Sequence, residues 1–173
     1  MTMKVDLLSV SDEPLPFSFQ LAPDDIDLDT EGVRIVDDVS VIGELSKNVA
    51  KTDVRGSIQA PVEIDCTRCL TPVRKDLDIV IEADFVDKEL LPDSRETHLE
   101  SNDLDTDVID GNELDLNEVV REQILLNLPE TVLCREDCKG ICPQCGKDLN
   151  EGDCQCGGEE IDPRWAALKD LKG

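Results

Sequence analysis

Tyrosine is absent from this chain, histidine and tryptophan occur once each, and phenylalanine occurs three times. With aromatics at only 2% of 173 residues, any core must be built from Val, Ile and Leu and is expected to be thin. No Ser/His/Asp set is visible, and the single histidine, His98, lies away from the cysteines, so a catalytic zinc with its usual His or carboxylate ligands and open position is not expected. No glycine-rich loop has the form that cradles phosphate, and no pair of carboxylates stands apart from the acidic background. Positive charge is also scarce. Seventeen Lys and Arg face 41 Asp and Glu, giving a net charge of −24. Such a surface repels phosphate backbones at long range, which argues against broad, nonspecific nucleic-acid binding. It suits a basic protein partner, plain solubility or a salt-adapted host. No stretch reaches the ~18 consecutive apolar residues of a membrane span. The segment from Met1 to Val10 lacks the apolar run of a signal peptide, so a reducing cytoplasm is the expected compartment.

Against these absences stand eight cysteines in four close pairs: Cys66/Cys69, Cys134/Cys138, Cys142/Cys145 and Cys154/Cys156. In a reducing compartment such pairs bind metal or act in redox chemistry more often than they form bridges. A structural zinc site takes four thiolates at about 2.3 Å in a tetrahedron. Cysteines two or three residues apart can reach one ion when the chain curls around it. Cys142-Pro143-Gln144-Cys145-Gly146 has the form of a zinc knuckle, with a glycine that lets backbone amides turn toward the sulfurs.

The four pairs predict one or two Zn²⁺ ions. The favoured grouping places Cys142, Cys145, Cys154 and Cys156 around one ion, and Cys66, Cys69, Cys134 and Cys138 around the other. A competing ribbon would join Cys66/Cys69 to Cys142/Cys145, and a single ion with four free cysteines is a third arrangement. Iron in the same ligand set would make an electron carrier, because zinc and iron are not separable by spacing. A thiol redox protein is the other alternative, although its usual βαβ setting is not visible.

Residues 1–32 are read as an irregular acidic arm broken by Pro14, Pro16 and Pro23, with at most an edge strand near Val5 to Val10. Residues 33–86 carry period-two patterning. Val54, Gly56, Ile58, Ala60, Val62 and Ile64 share one face, and after the first cysteine pair Val73, Leu77, Ile79, Ile81, Ala83 and Phe85 do so again. This predicts two long antiparallel strands with Cys66 and Cys69 at the hairpin tip, and Pro61 at an edge or bulge position. Residues 87–113 read as an acidic flexible loop. It holds His98, taken as an exposed side chain rather than a ligand. Residues 114–173 begin with a helix from Leu116 to Leu128, capped by Asp115 with Glu118 completing a capping box and stopped by Pro129. The cysteine-rich segment follows. A last helix starts at Asp162-Pro163 and carries Trp165, Leu168 and Leu171 on one side. The fold class expected is α+β: an antiparallel sheet, a meander with a long hairpin, packed by one or two helices and followed by a C-terminal zinc-knuckle segment.

The ordered motifs resemble a known family. They run Cys66-x-Arg68-Cys69-Leu70, then Leu114-Asp115-Leu116-x-Glu118-x-Val120-x-Glu122-x-Ile124-x-Leu126-x-Leu128-Pro129. Leu133-Cys134-x-x-x-Cys138-x-Gly140-x-Cys142-Pro143-x-Cys145-Gly146 follows, then Asp148-Leu149-Asn150, Cys154-x-Cys156 and Asp162-Pro163-Arg164. Together they resemble the YceD family, the large ribosomal RNA subunit accumulation proteins of bacteria and plastids. The resemblance implies a non-enzymatic factor supporting synthesis, processing or accumulation of large-subunit ribosomal RNA. It implies the RNA precursor or ribosomal proteins as partners, with no small-molecule substrate and no membrane. Zinc would then act as a staple of the fold. Arg68, Arg74, Lys75, Arg135, Lys139 and Lys147 lie beside the knuckles. They can be read as a local RNA-contacting spot, or as cations that screen thiolate charge.

Overall fold

A computed structural model describes residues 3–49, 51–88 and 106–156. Its centre is β5 (Thr52–Asp65) paired antiparallel with β6 (Pro72–Asp87). Inward-facing positions alternate as the sequence pattern requires. Val54, Ile58, Ala60 and Val62 are fully buried, while Ser57 and Gln59 between them face solvent. The sheet runs β2 (Leu15–Leu21), β4 (Val39–Lys47), β5, β6, β7 (Thr106–Ile109), and β3 (Val33–Ile35) pairs with the far half of β5. A small second ladder joins β1 (Lys4–Asp6) to β8 (Glu113–Asp115).

The helix α1 (Leu116–Leu126) lies on the inner face. Its buried stripe of Leu116, Val119, Val120 and Ile124 joins one core with Val41, Leu45, Ile58, Ile81 and Phe85. Recurrence at three- and four-residue spacing puts these four side chains on one face. The core is almost wholly aliphatic, as the shortage of aromatics dictates. Burying each such side chain contributes roughly 1.5–3 kcal/mol. Asp115 caps the helix by accepting from Asn117 N–H at 3.0 Å. Glu118 does not complete the expected box. It lines a pocket with Asp25, Asp27, Asp29, Asn117 and Arg121. The helix also ends earlier than expected, because Asn127 closes it by donating its side-chain amide to Gln123 O at 2.9 Å. Leu128 still packs on the core.

Several expectations need correction. The N-terminal arm is not irregular: β2 pairs with β4 along all seven of its residues, Leu15 to Leu21. Pro16 is tolerated because β2 is an edge strand, where a missing N–H breaks no inner ladder. The acidic stretch 87–113 carries β7 and β8 at its far end. β7 pairs parallel to β6, so the sheet is mixed rather than purely antiparallel. Pro61 lies in a central strand and not at an edge. It falls opposite the gap between β3 and β4, and its carbonyl accepts from Val36 N–H at 3.1 Å. The missing donor coincides with the interruption in the ladder. The helix expected from Asp162, with Trp165, Leu168 and Leu171, and the loop around His98 lie outside the described residues.

Candidate metal centres

Cys66 and Cys69 stand at the tip where β5 turns into β6. Leu70 N–H donates to Cys66 O at 2.9 Å, and Cys66 N–H donates to Thr71 O at 2.9 Å. The segment Cys142 to Gly146 repeats this turn: Gly146 N–H donates to Cys142 O at 2.8 Å. In both, the residue after the second cysteine is left-handed, with φ of 60° at Leu70 and 71° at Gly146. Glycine suits that conformation and leucine does not, because its Cβ crowds the backbone. The Leu70 side chain is 60% exposed, so little burial compensates. Leu70→Gly is therefore expected to raise stability by about 1 kcal/mol. Urea unfolding would check this, and a lower midpoint would contradict the strain.

The structure brings all eight cysteines into two groups of four, Cys66/Cys69/Cys134/Cys138 and Cys142/Cys145/Cys154/Cys156. Within each group the sulfurs lie within 4.8 Å of one another. Cys66 Sγ is 3.8 Å from Cys138 Sγ, and Cys69 Sγ is 3.5 Å from Cys134 Sγ. A disulfide needs about 2.05 Å, and all eight thiols are free. Four thiolates bound tetrahedrally at about 2.3 Å sit about 3.8 Å apart, close to the spacing found. Each cluster could hold one metal ion. This grouping has the favoured arrangement of the pairs and not the ribbon joining Cys66/Cys69 to Cys142/Cys145.

The two clusters differ in setting. Cys66 is 0% exposed and Cys138 only 2%, whereas Cys145 is exposed and Cys154 and Cys156 are half-buried. The first cluster fastens residues 132–138 to the hairpin tip. Thr67 N–H donates to Val132 O at 2.8 Å, and the Arg68 guanidinium donates to Cys138 O at 2.7 Å. Burial pushes the Cys66 thiol up, yet the backbone amides of Arg68, Cys134 and Cys69 outweigh it and hold it at about 6. The amides of Cys145 and Gln144 and the Cys154 thiol likewise draw Cys142 down to about 6. Hydrogen bonding to Cys69 pushes Cys134 up to about 12, and bonding to Cys145 does the same to Cys156. Without a cation, each cluster accommodates some thiolate charge and resists the rest, which is the imbalance that a divalent ion removes.

Asn150 links the clusters, a role that spacing alone did not reveal. It lies in the loop of the second cluster and donates its side-chain amide to Cys138 Sγ of the first at 3.4 Å. Its Oδ1 accepts from Lys139 N–H at 2.8 Å, and Asp148 Oδ1 accepts from its backbone N–H and from Nδ2. Leu149 N–H to Gly140 O and an Ile141–Asp148 bridge complete the stitch. The Asx-forming sequence Asp148-Leu149-Asn150 was its only local signal. Partners that hold a ligand typically tune metal affinity by 10–100-fold. Asn150→Ala is expected to weaken metal binding at the first cluster roughly tenfold in chelator competition. Unchanged affinity would make Asn150 a loop residue only.

Most of the basic residues near the knuckles are already engaged. Arg68 holds Cys138 O, Arg74 pairs with Asp37, Arg135 pairs with Asp137, and Lys147 donates to Asp153 O. Arg68 and Lys147 thus serve the local backbone, whereas the Arg74 and Arg135 pairs are solvent-exposed and weak.

A mixed sheet packed by one α-helix among the described residues, with one four-thiol cluster joining the hairpin tip to the segment after the helix and a second within the C-terminal segment, defines a cysteine-clustered α+β protein. Residues 54–172 match the family described as "Large ribosomal RNA subunit accumulation protein YceD", and this chain belongs to that family. It is 36% identical over 120 residues to "Uncharacterized protein Rv2926c" of Mycobacterium tuberculosis (strain ATCC 25618 / H37Rv), covering 69% of this chain and 55% of that protein. The chain spans about half the length of the mycobacterial relatives that it matches. "Uncharacterized protein YlbN" of Bacillus subtilis (strain 168) is 27% identical over 143 residues, covering 80% of this chain and 77% of that protein. The Arabidopsis thaliana protein "Large ribosomal RNA subunit accumulation protein YCED homolog 1, chloroplastic" is 37% identical over 60 residues, which is 35% of this chain and 19% of that protein. No solved structure matches the chain.

Proposed function

We propose that this chain is a non-enzymatic factor in the biogenesis of the large ribosomal subunit, with both four-cysteine clusters serving as structural zinc sites. Family membership carries the biological half of this reading. The family is described by the accumulation of an RNA and not by a reaction. The grouping of all eight sulfurs carries the chemical half. Four thiolates close a tetrahedron and leave no position for a substrate or a reactive water, which suits a staple and not a catalyst. On this reading the protein works in the cytoplasm, where thiols remain reduced.

The net charge of −24 favours a basic protein partner over direct phosphate contact. A tagged full-length chain, purified from its host at moderate salt, should enrich large-subunit proteins or precursors of large-subunit RNA over small-subunit ones. Recovery of neither would remove the ribosomal role.

A further inference from the structure

Edge strands invite pairing, and proteins blunt them with charge, shortness or cover. In this fold β7 is four residues long with Asp107 inside it, and β3 is three residues long with Arg34 at its centre. Both are short and carry charge. β2 is longer, with seven residues, none of them charged, and Pro16 as its one blunting residue. It lies at the centre of residues 14–23, an uncharged run of ten in a chain that is 34% charged, where about three charges would be average.

One side of β2 pairs with β4. Among the described residues its other side has no backbone hydrogen bond. Phe17 and Phe19, with ring centroids 6.0 Å apart, are half-buried, and no further strand lies beyond them among the described residues. On the opposite face a shallow groove of about 400 Å³ runs between Ser18, Gln20, Ser40 and Ile42, and Ile42 is 62% exposed. Acidic residues bracket this neutral strip. Asp12 and Glu13 precede it and Asp24 follows it, all exposed and with no ion pair among the described residues.

We propose that the free edge of β2 receives an extended segment of a basic partner protein as an added strand. The segment would have an uncharged, alternating apolar middle and Lys or Arg flanks. Main-chain pairing would supply affinity, and alternate side chains would cover Phe17 and Phe19 on one face and rest beside Ile42 on the other. The flanking cations would meet Asp12, Glu13 and Asp24. The acids oppose the alternative occupant, a second copy of this chain. Antiparallel self-pairing would place Asp12 and Glu13 of one copy beside Asp24 of the other. The proposal rests on the ribosome-assembly reading only for the source of the partner.

The test uses the full chain and a labelled synthetic peptide, Lys-Lys-Val-Ser-Val-Ser-Val-Lys-Lys, followed by fluorescence anisotropy. An added strand uses only alternate amides toward its neighbour. Methylating the amides of either the valines or the serines should therefore weaken binding by at least about tenfold for one set and spare the other. The same peptide with Glu flanks should also lose at least about tenfold. Bound peptide should slow hydrogen exchange within residues 15–21. Equal binding of the methylated and unmethylated Lys-flanked peptides would reduce the interaction to bulk charge and overturn the proposal, and so would equal binding of the Glu-flanked peptide or binding of none of them. Protection confined to another surface, or a dimer in sedimentation that already protects β2, would overturn it equally. None of these readouts involves the ribosome, so their failure is distinct from a failed copurification.

Discussion

Cys66→Ser is expected to remove one of two bound zinc equivalents and to lower the melting temperature by on the order of 10 °C. The side chain is fully buried at the end of β5, with its sulfur 3.8 Å from Cys138 Sγ. Serine supplies a poor zinc ligand and leaves three thiolates crowded together without their ion. The consequence extends beyond the site, because metal affinity in a structural centre is also folding free energy. Residues 132–138 would lose their clasp on the hairpin tip, and Asn150 would lose the oriented Cys138 sulfur that it contacts. Cys145→Ser offers the internal comparison. That residue is exposed in the outer cluster. Its loss should release the other zinc equivalent and loosen the C-terminal third, while melting of the β4–β5–β6 sheet stays largely unchanged. Metal analysis combined with calorimetry separates the two outcomes. A Cys66→Ser protein with full zinc and unaltered melting would show that the ligands are misassigned.

The second large effect is expected inside the sheet. Gly43 on β4 and Gly56 on β5 are register partners on the inner face. A Cβ on Gly56 would lie 2.8 Å from Gly43 Cα and closer still to the Ile42 carbonyl oxygen. One on Gly43 would lie 2.5 Å from Arg55 O and 2.6 Å from the Phe17 ring. Paired strand glycines mark a place where two backbones come together and the sheet bends. These obstructions are mostly backbone and cannot rotate away. Gly56→Ala is expected to cost about 3 kcal/mol, with a melting point lower by roughly 10 °C. Gly43→Ala should cost a similar amount. The double substitution should cost less than the sum, since both strain one approach. Denaturant unfolding of the three variants checks this. Additive, sub-kilocalorie effects would mean that the strands separate freely there.

Much of this architecture was legible in the chain. The alternation from Val54 to Ile64 and from Val73 to Phe85 marks β5 and β6 because half-buried strands must alternate. The stripe from Leu116 to Ile124, with Asp115 before it, marks α1. Cysteine spacing also pointed to the two groups of four that the fold assembles. Other features were hidden for physical reasons. β2 is masked by Pro14 and Pro16, whose cost depends on whether the strand is central or at an edge, and local sequence does not report that. The parallel pairing of β7 joins segments separated by an acidic stretch, so no local periodicity encodes it. Leu70 was not visible as a left-handed residue because nothing in its chemistry favours that state. Asn150 is a polar side chain in a polar loop, and only the approach of Cys138 gives it a task.

Native mass spectrometry of the freshly purified chain puts the paired zinc sites to the sharpest test. A dominant species carrying two zinc ions is expected, with a chelator removing the ion of the more exposed Cys142/Cys145/Cys154/Cys156 cluster before that of the more buried one. Detection of the bare polypeptide alone, with stability indifferent to chelator, would contradict it.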